Sequence, residues 1–323
     1  MPAPRVTVAV TQRESFGHTK RSLESLYATA DAPFELIYFD AGSPPMIQRL
    51  IEDESRRYGF KVRRFDSVIA PNATRNIALA EIDTEFIAFV DNDVIFKHGW
   101  LRQLLACADE TGADLVAPLV FMNQPPFRFI HFAGGEAHID QTPSGRRYRE
   151  SHPFAGQRVD RITTRFVRGP SEAVELHCLL ARRALFDRIG PFDETLTSIC
   201  EHADMCMLVH QNGGTLMFEP AAQVSYLPVK LFPFDVQSMP FYLERWSRSN
   251  NRSSIDNFRA KWSLPADDYL TEEAYFWGSD LRFLMFRFLR LRFFLRAWRK
   301  LLRIARKTAA ATFRSPNIRA SGE

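Results

Sequence analysis

The sequence predicts an α/β fold: a mainly parallel sheet flanked by helices, with a C-terminal helical extension. Three observations predict it. Short apolar runs of strand length alternate with helically spaced segments in the order β-α-β-α-β-α-β, joined by connections of a few residues. The run Phe86-Ile87-Ala88-Phe89-Val90 is apolar on both alternating faces, as a strand covered on both sides must be, and it stops at Asp91-Asn92-Asp93. Past residue 280 the composition changes to a basic, aromatic-rich segment with helical spacing.

Val6 to Val10 reads as a buried opening strand. Thr19 to Ala30 carries Leu23, Leu26 and Tyr27 on one helical face. Phe34 to Phe39 is a second strand, ending in Asp40-Ala41-Gly42-Ser43-Pro44-Pro45, a turn composition. Met46 to Tyr58 reads as a helix with Met46, Ile47, Leu50 and Ile51 inward, broken by Gly59. Phe60 to Phe65 is a short strand, and Pro71 to Ile82 a helix with proline tolerated in its first turn. The strand ending at Asp91 is followed by a helix, Gly99 to Glu110, and a strand, Asp114 to Val120. Asn123 to Arg168 has weak periodicity, so hairpins and loops are expected there. Glu175 to Ala181 is strand-like, and Arg182 to Ile189 is a short helix stopped by Gly190-Pro191. Glu201 to Gln211 is a helix closed by Asn212-Gly213-Gly214. Thr215 to Phe218 and Gln223 to Tyr226 read as two short strands. Residues 235–262 and 268–308 read as helical.

The length, 323 residues, suffices for one large α/β domain with an appendage. The net charge of +4 hides an asymmetry. Residues 281–323 hold 12 of the 42 Lys+Arg and one of the 38 Asp+Glu, so they carry +11, while the remaining 280 residues (30 basic, 37 acidic) carry −7. Cys107, Cys178, Cys200 and Cys206 show no C-x-x-C spacing and read as buried free thiols, which favours a reducing compartment. No signal-peptide pattern and no run of about 18 uncharged apolar residues occurs, so neither a leader nor a spanning helix is expected.

Asp91 and Asp93 point to chemistry. Side chains alternate faces along a strand, so the two converge only past its end, where the chain turns. Paired carboxylates there are costly unless a cation neutralises them. Ligands of open α/β sheets bind outside those same strand ends. A hard oxygen set with open positions suits Mn2+ or Mg2+. Taken alone, Asp-x-Asp is a weak motif and reads more simply as a pair that opens a turn or caps a helix; the surrounding chain favours the metal reading.

The stretches in order along the chain resemble family 2 glycosyltransferases of the GT-A (Rossmann-like) fold, over roughly residues 5 to 265. Val6-Thr7-Val8-Ala9-Val10-Thr11 is similar to that family's opening strand, and Phe39-Asp40-Ala41-Gly42-Ser43 to its "V-D-N-G-S" turn. Asn72-Ala73-Thr74-Arg75-Asn76 resembles its "N-x-G-x-a-x-N" helix start without the first Gly, and Phe89-Val90-Asp91-Asn92-Asp93 its metal motif. The segment from Leu179 to Glu194 resembles "lirRevfeevGgfDE", and Phe258-Arg259-Ala260-Lys261-Trp262 the terminal "F-x-x-K-W". The resemblance implies a metal-dependent, inverting transfer of a sugar from a nucleotide-sugar donor, most commonly a UDP-sugar, to a glycan or lipid-linked acceptor. It implies Asp91 and Asp93 as ligands of Mn2+ or Mg2+, with Thr11, Asp40, Arg75 and Asp91 at the nucleotide-sugar. Arg75 reads equally well as surface charge.

Two departures stand out. In the family the general base is the Asp of a Glu-Asp pair opening a late helix; here Cys200-Glu201-His202-Ala203-Asp204 puts His202 in that place. His202, Glu201 and Asp204 therefore all remain candidates, as does the reading that all three only cap the helix. The family often has a metal-binding His after a late strand, where this chain has Ser225, so a third ligand must come from elsewhere or be water. His131, His138, His152 and His177 are scattered and receive no assignment. Trp246 and Trp262 read as core.

From Arg292 to Lys307, Arg292, Arg296, Arg299, Lys300, Arg303, Arg306 and Lys307 fall on one helical arc, and Phe294, Leu295, Trp298, Leu301 and Leu302 on the other. Such a helix lies in the plane of an anionic membrane surface, with residues 281–307 in contact; docking on a partner subunit is the alternative. Nucleic acid is not expected, because the aromatics do not interleave with the cations. The expected organisation is a nucleotide-sugar-binding catalytic domain (1–234), a helical extension (235–280) and a membrane-associating helix and tail (281–323), cytoplasmic and peripheral at the inner membrane face. Two other readings stay open: a sugar-1-phosphate nucleotidyltransferase, and a non-catalytic membrane-associated scaffold.

Overall fold

The computed structural model describes residues 3–227, apart from 14, 124 and 144, and residues 239–266. The expected helix over 268–308 and its membrane face lie outside the described residues. The first half follows the predicted alternation: β1 (Val6–Thr11), α1 (Thr19–Thr29), β2 (Glu35–Ala41), α2 (Pro45–Tyr58), β3 (Lys61–Phe65), α3 (Pro71–Glu81) and β4 (Phe86–Asp91). Then come β5 (Val94–Phe96), α4 (Trp100–Thr111), β6 (Leu115–Met122), β7 (Phe129–Phe132), and a separate hairpin of β8 (Glu136–Thr142) and β9 (Gly145–Ser151). The chain continues through β10 (Gly169–Pro170), β11 (Cys178–Arg182), α5 (Leu185–Ile189), α6 (Glu201–Gln211), β12 (Leu216–Tyr226), α7 (Met239–Arg245) and α8 (Arg248–Trp262).

The main sheet runs β10-β12-β6-β11-β4-β1-β2-β3, with β5 on β12 and β7 on β6. The pairs β1–β2, β1–β4, β2–β3 and β6–β12 are parallel. All residues of β1 and β4 are buried, as central strands covered on both faces require. β11 is inserted antiparallel between β4 and β6. An antiparallel strand begins where its parallel neighbours end, so the residue before β11 sits in the crevice at the end of β4.

Several expectations need correction. Met46 is 55% exposed, and Leu50 is only half-buried; the inward stripe of α2 is Ile47, Ile51 and Glu54, at i, i+4 and i+7, and Met46 lies one residue off it. The two short strands expected at 215–226 are one strand, β12, with a register shift between Glu219 and Gln223. Proline at 220 cannot donate to a ladder, and the chain bulges around it rather than stopping. β5 was not foreseen: three residues give no periodicity, and its pairing partner lies over 120 residues away. All four cysteines are buried and free. No helix among the described residues is long and apolar enough to cross a membrane.

Candidate active site

β4 and β1 end level with each other, Thr11 opposite Asp91, and Asn92-Asp93 form the turn beyond. Asp91 is fully buried. Its Oδ1 accepts from Thr11 Oγ1 at 3.4 Å and its Oδ2 from Arg13 Nη1 at 3.0 Å. His177 Nδ1 lies 2.8 Å from Oδ2. Asp91, Asp93 and His177 bring one ligand atom each within 4.8 Å of one another. Burial alone would raise the Asp91 carboxyl, but Arg13, His177 and Arg75 outweigh it and hold it below its usual value. Burial lowers the His177 imidazole against the pull of Asp91, which favours the neutral ring, the form that ligates a metal. The ring of His177 stacks on Tyr226, centroids 4.0 Å apart. Two carboxylates and one imidazole, buried at a strand end, fit Mn2+ or Mg2+.

Arg75 is not surface charge. It is 0% exposed, inside the first turns of α3. Nη1 donates to Asn72 Oδ1 at 2.9 Å, and Nη2 lies 3.9 Å from Asp91 Oδ1. Its Nε and Nη2 have no hydrogen-bond partner. A guanidinium left half-satisfied in the interior costs free energy unless an anion completes it. Asn92 ties the loop after β1 to the turn: its Oδ1 accepts from Arg13 N–H at 2.7 Å, and its Nδ2 donates to Thr19 Oγ1 at 3.2 Å.

Asp40, buried at the end of β2, accepts from Ser43 N–H at 3.0 Å and from Arg64 Nε at 3.1 Å. Only β1 separates β2 from β4, so Asp40 and Asp91 stand about 10 Å apart along one sheet edge, two strand spacings. Ser225 is fully buried, and its Oγ accepts from Phe127 N–H at 3.4 Å. His177, not a residue after β12, joins the two aspartates.

The three candidates at the start of α6 part company. Asp204 faces α8, accepting from Trp262 Nε1 and Lys261 Nζ, each at 2.8 Å. His202 turns to the hairpin, Nε2 lying 2.8 Å from Glu150 Oε1. Burial would lower its imidazole, but Glu150 and Glu175 outweigh that and push it up to about 10. At neutral pH it is protonated and has no lone pair to take a proton. Glu201 is 6% exposed, close enough to Arg75 and His202 for their charges to interact, and makes no side-chain hydrogen bond or ion pair among the described residues. Trp262 sits in a cluster with Tyr148, Leu196, Ile199 and Phe258, and Trp246 packs against it, so both tryptophans are core.

His177 and Glu150 were missed by sequence reasoning. Neither has a spacing signal, because each reaches its place through strand order. One signal was available for His177: it immediately precedes an apolar run of strand length, the position from which side chains reach a crevice.

The model of "Glycosyl transferase family 2" matches residues 9–189. A pre-mycofactocin glycosyltransferase of Mycobacterium tuberculosis is 32% identical over 162 residues, 48% of this chain and 30% of that protein. An uncharacterized protein, y4gI, of Sinorhizobium fredii is 25% identical over 274 residues, 80% of this chain and 28% of that protein. The chain thus spans about a third of the length of the curated relatives it matches. Among solved structures, GalNAc-T7 with UDP, GalNAc and Mn2+ superposes with a TM-score of 0.54 at 16% identity, covering 83% of this chain and 56% of that one. The Staphylococcus aureus TarS 1-349 complex with UDP-GlcNAc gives 0.52 at 16%, covering 86% and 80%. The Pyrobaculum calidifontis mannosyltransferase PcManGT with GDP-Man and Mn2+ gives 0.52 at 13%, covering 97% and 81%. These likenesses establish the GT-A fold.

Proposed function

The chain belongs to glycosyl transferase family 2, and from that premise we propose that it transfers a sugar from a nucleotide-sugar donor to a glycan or lipid-linked acceptor, with inversion and with a divalent metal. The observation that carries this reading is the convergence of Asp91, Asp93 and His177 beside a buried Arg75 whose Nε and Nη2 lack partners. Asp91, Asp93 and His177 would hold Mn2+ or Mg2+, which when bound supplies Lewis-acid stabilisation of a departing diphosphate. Arg75 offers its two unsatisfied N–H groups to a phosphate oxygen of the donor. Thr11 and Arg13 orient the Asp91 carboxylate. Asp40, at the same sheet edge, faces the nucleotide end of the donor, as the family resemblance implies.

Glu201 serves as the general base for the acceptor hydroxyl. His202 is held protonated, and both Asp204 oxygens are engaged with α8, which leaves Glu201 as the buried carboxylate with capacity to accept a proton. Asp204 positions α6 by binding it to α8. UDP- and GDP-sugars are both donor candidates, since the neighbouring folds accept each. We place the basic segment 281–307 on an anionic membrane surface, which would bring a lipid-linked acceptor to the crevice. The test is a thermal-shift and hydrolysis screen of UDP- and GDP-sugars with and without Mn2+. One donor should raise the melting temperature only with metal and release nucleoside diphosphate. Indifference to every donor, with metal present, would overturn the assignment.

A further inference from the structure

Outside the Asp91 centre, a second group of ligating side chains comes together where the β8–β9 hairpin meets α6. Glu150 and His152 stand two residues apart at the end of β9, and His202 lies in the first turn of α6. His152 Nε2 and His202 Nε2 each lie 2.8 Å from the same oxygen, Glu150 Oε1. The three ligand atoms all fall within 4.8 Å of one another. His152 Nε2 is buried, and its contact with Glu150 is an ion-pair distance that lies off hydrogen-bond geometry. The surroundings hold these ligands in place. Tyr148 Oη donates to the other Glu150 oxygen at 3.0 Å, and Glu175 Oε1 lies 3.6 Å from His152 Nδ1. A ligating imidazole whose second nitrogen faces a carboxylate is the usual outer arrangement of metal sites.

We propose that Glu150, His152 and His202 form a second divalent-cation site, for Zn2+ in preference to Mn2+, that clamps the β8–β9 hairpin onto α6. Two imidazoles and one carboxylate are a borderline-soft set that suits Zn2+, whereas the Asp91 centre is harder. Zn–N and Zn–O bonds of about 2.0–2.1 Å in a tetrahedron separate ligand atoms by about 3.3 Å, so Glu150 Oε1 and the nitrogens spread slightly on binding. The cation gives His152 Nε2, which faces Glu150 without hydrogen-bond geometry, a bonded partner. The side chains are 14–21% exposed, enough for an ion and a fourth, water ligand to enter. A ligating imidazole must be neutral, so Zn2+ binding displaces the proton that His202 otherwise carries. In either state His202 has no free lone pair for the acceptor, which agrees with Glu201 as base, and the site does not depend on sugar transfer.

The test uses the full chain stripped with EDTA, titrated calorimetrically with ZnCl2 and, for its visible spectrum, CoCl2. Asp93→Asn protein should keep one tightly bound Zn2+ per chain, and its Co2+ form should show the intense absorption of a tetrahedral site. The His152→Ala, His202→Ala double variant should lose that site and keep its Mn2+-dependent response to donor. Should the double variant fail to fold, isosteric Glu150→Gln should weaken Zn2+ at least about tenfold. Absence of stoichiometric Zn2+ in Asp93→Asn protein, or undiminished Zn2+ affinity in the His152 and His202 double variant or in Glu150→Gln, overturns the proposal.

Discussion

Asp91 and His177 are joined twice: Asp91 N–H donates to the His177 carbonyl at 3.0 Å, and His177 Nδ1 meets Asp91 Oδ2 at 2.8 Å. The backbone bond extends the antiparallel pairing of β4 and β11 one residue past Cys178 and Val90. The side-chain contact follows from it, because residue 177 is held opposite residue 91. The contact that brings His177 to Asp91 is therefore as rigid as the sheet that carries it.

That rigidity sets the first expectation. Asp93→Asn should abolish most Mn2+-dependent stabilisation by the donor, and His177→Gln should weaken it by about 10- to 100-fold, with little loss of fold. The measurement is the shift in melting temperature with donor across a Mn2+ series. Wild-type Mn2+ dependence in Asp93→Asn would sink the metal assignment.

Glu201 and Asp204 should separate chemistry from stability. Glu201→Gln should lower kcat about 100- to 10,000-fold at saturating donor with an unchanged melting temperature. Asp204→Ala strands the Trp262 indole N–H and the Lys261 ammonium, and should cost about 1–3 kcal/mol by urea denaturation. A stable Asp204→Ala protein with lost kcat, beside an active Glu201→Gln, would exchange the two roles.

Arg75→Met should show a trade between stability and binding. The half-satisfied guanidinium is costly in the ligand-free protein, so stability should stay level or rise. Donor affinity should fall by about 10- to 150-fold, the worth of one or two charged hydrogen bonds. Unchanged donor affinity by calorimetry would remove Arg75 from the phosphate site.

The hairpin has a pH signature. His138 Nδ1 lies 2.6 Å from Glu172 Oε2, and Asp140 and Glu136 face the same ring. The Glu172 bond raises the imidazole above its ordinary 6.5, and the imidazole lowers Glu172 below its ordinary 4.5. The pair's contribution is thus fully present between those ordinary values. It fades as pH rises through the raised His138 value, or falls through the lowered Glu172 value. Both groups are over a third exposed, so the effect should stay under about 1 kcal/mol. Denaturation at pH 5.5 and 8.5 should give a smaller difference for His138→Gln than for wild type; equal differences would refute the linkage.

The basic segment should anchor the protein without serving the chemistry. Each Lys or Arg near an anionic surface contributes about 1 kcal/mol, reduced by salt. A chain ending at Ser279 should lose binding to anionic liposomes and keep donor hydrolysis. Equal partition of both chains at low salt would refute membrane docking, and a change from oligomer to monomer would favour a partner helix.

The sequence by itself determined the alternation of strands and helices, the buried β1 and β4, and the placement of Asp91, Asp93 and Asp40 at strand ends. All of these depend on periodicity and turn chemistry within a dozen residues, where local sterics and burial act. The register of Glu201 on α6 was legible for the same reason. Only the tertiary structure decided which of these residues meet. His177 reaches Asp91 because β11 runs antiparallel between β4 and β6, and Glu150 reaches His202 because the hairpin folds back onto α6. Asp204 turns from the crevice because Lys261 and Trp262 of α8 engage both its oxygens, and Arg75 is buried because α3 lies against Phe192 and the end of β4. Contacts between residues 50 to 120 positions apart leave no local pattern, since the energy that fixes them arises only when separate elements pack.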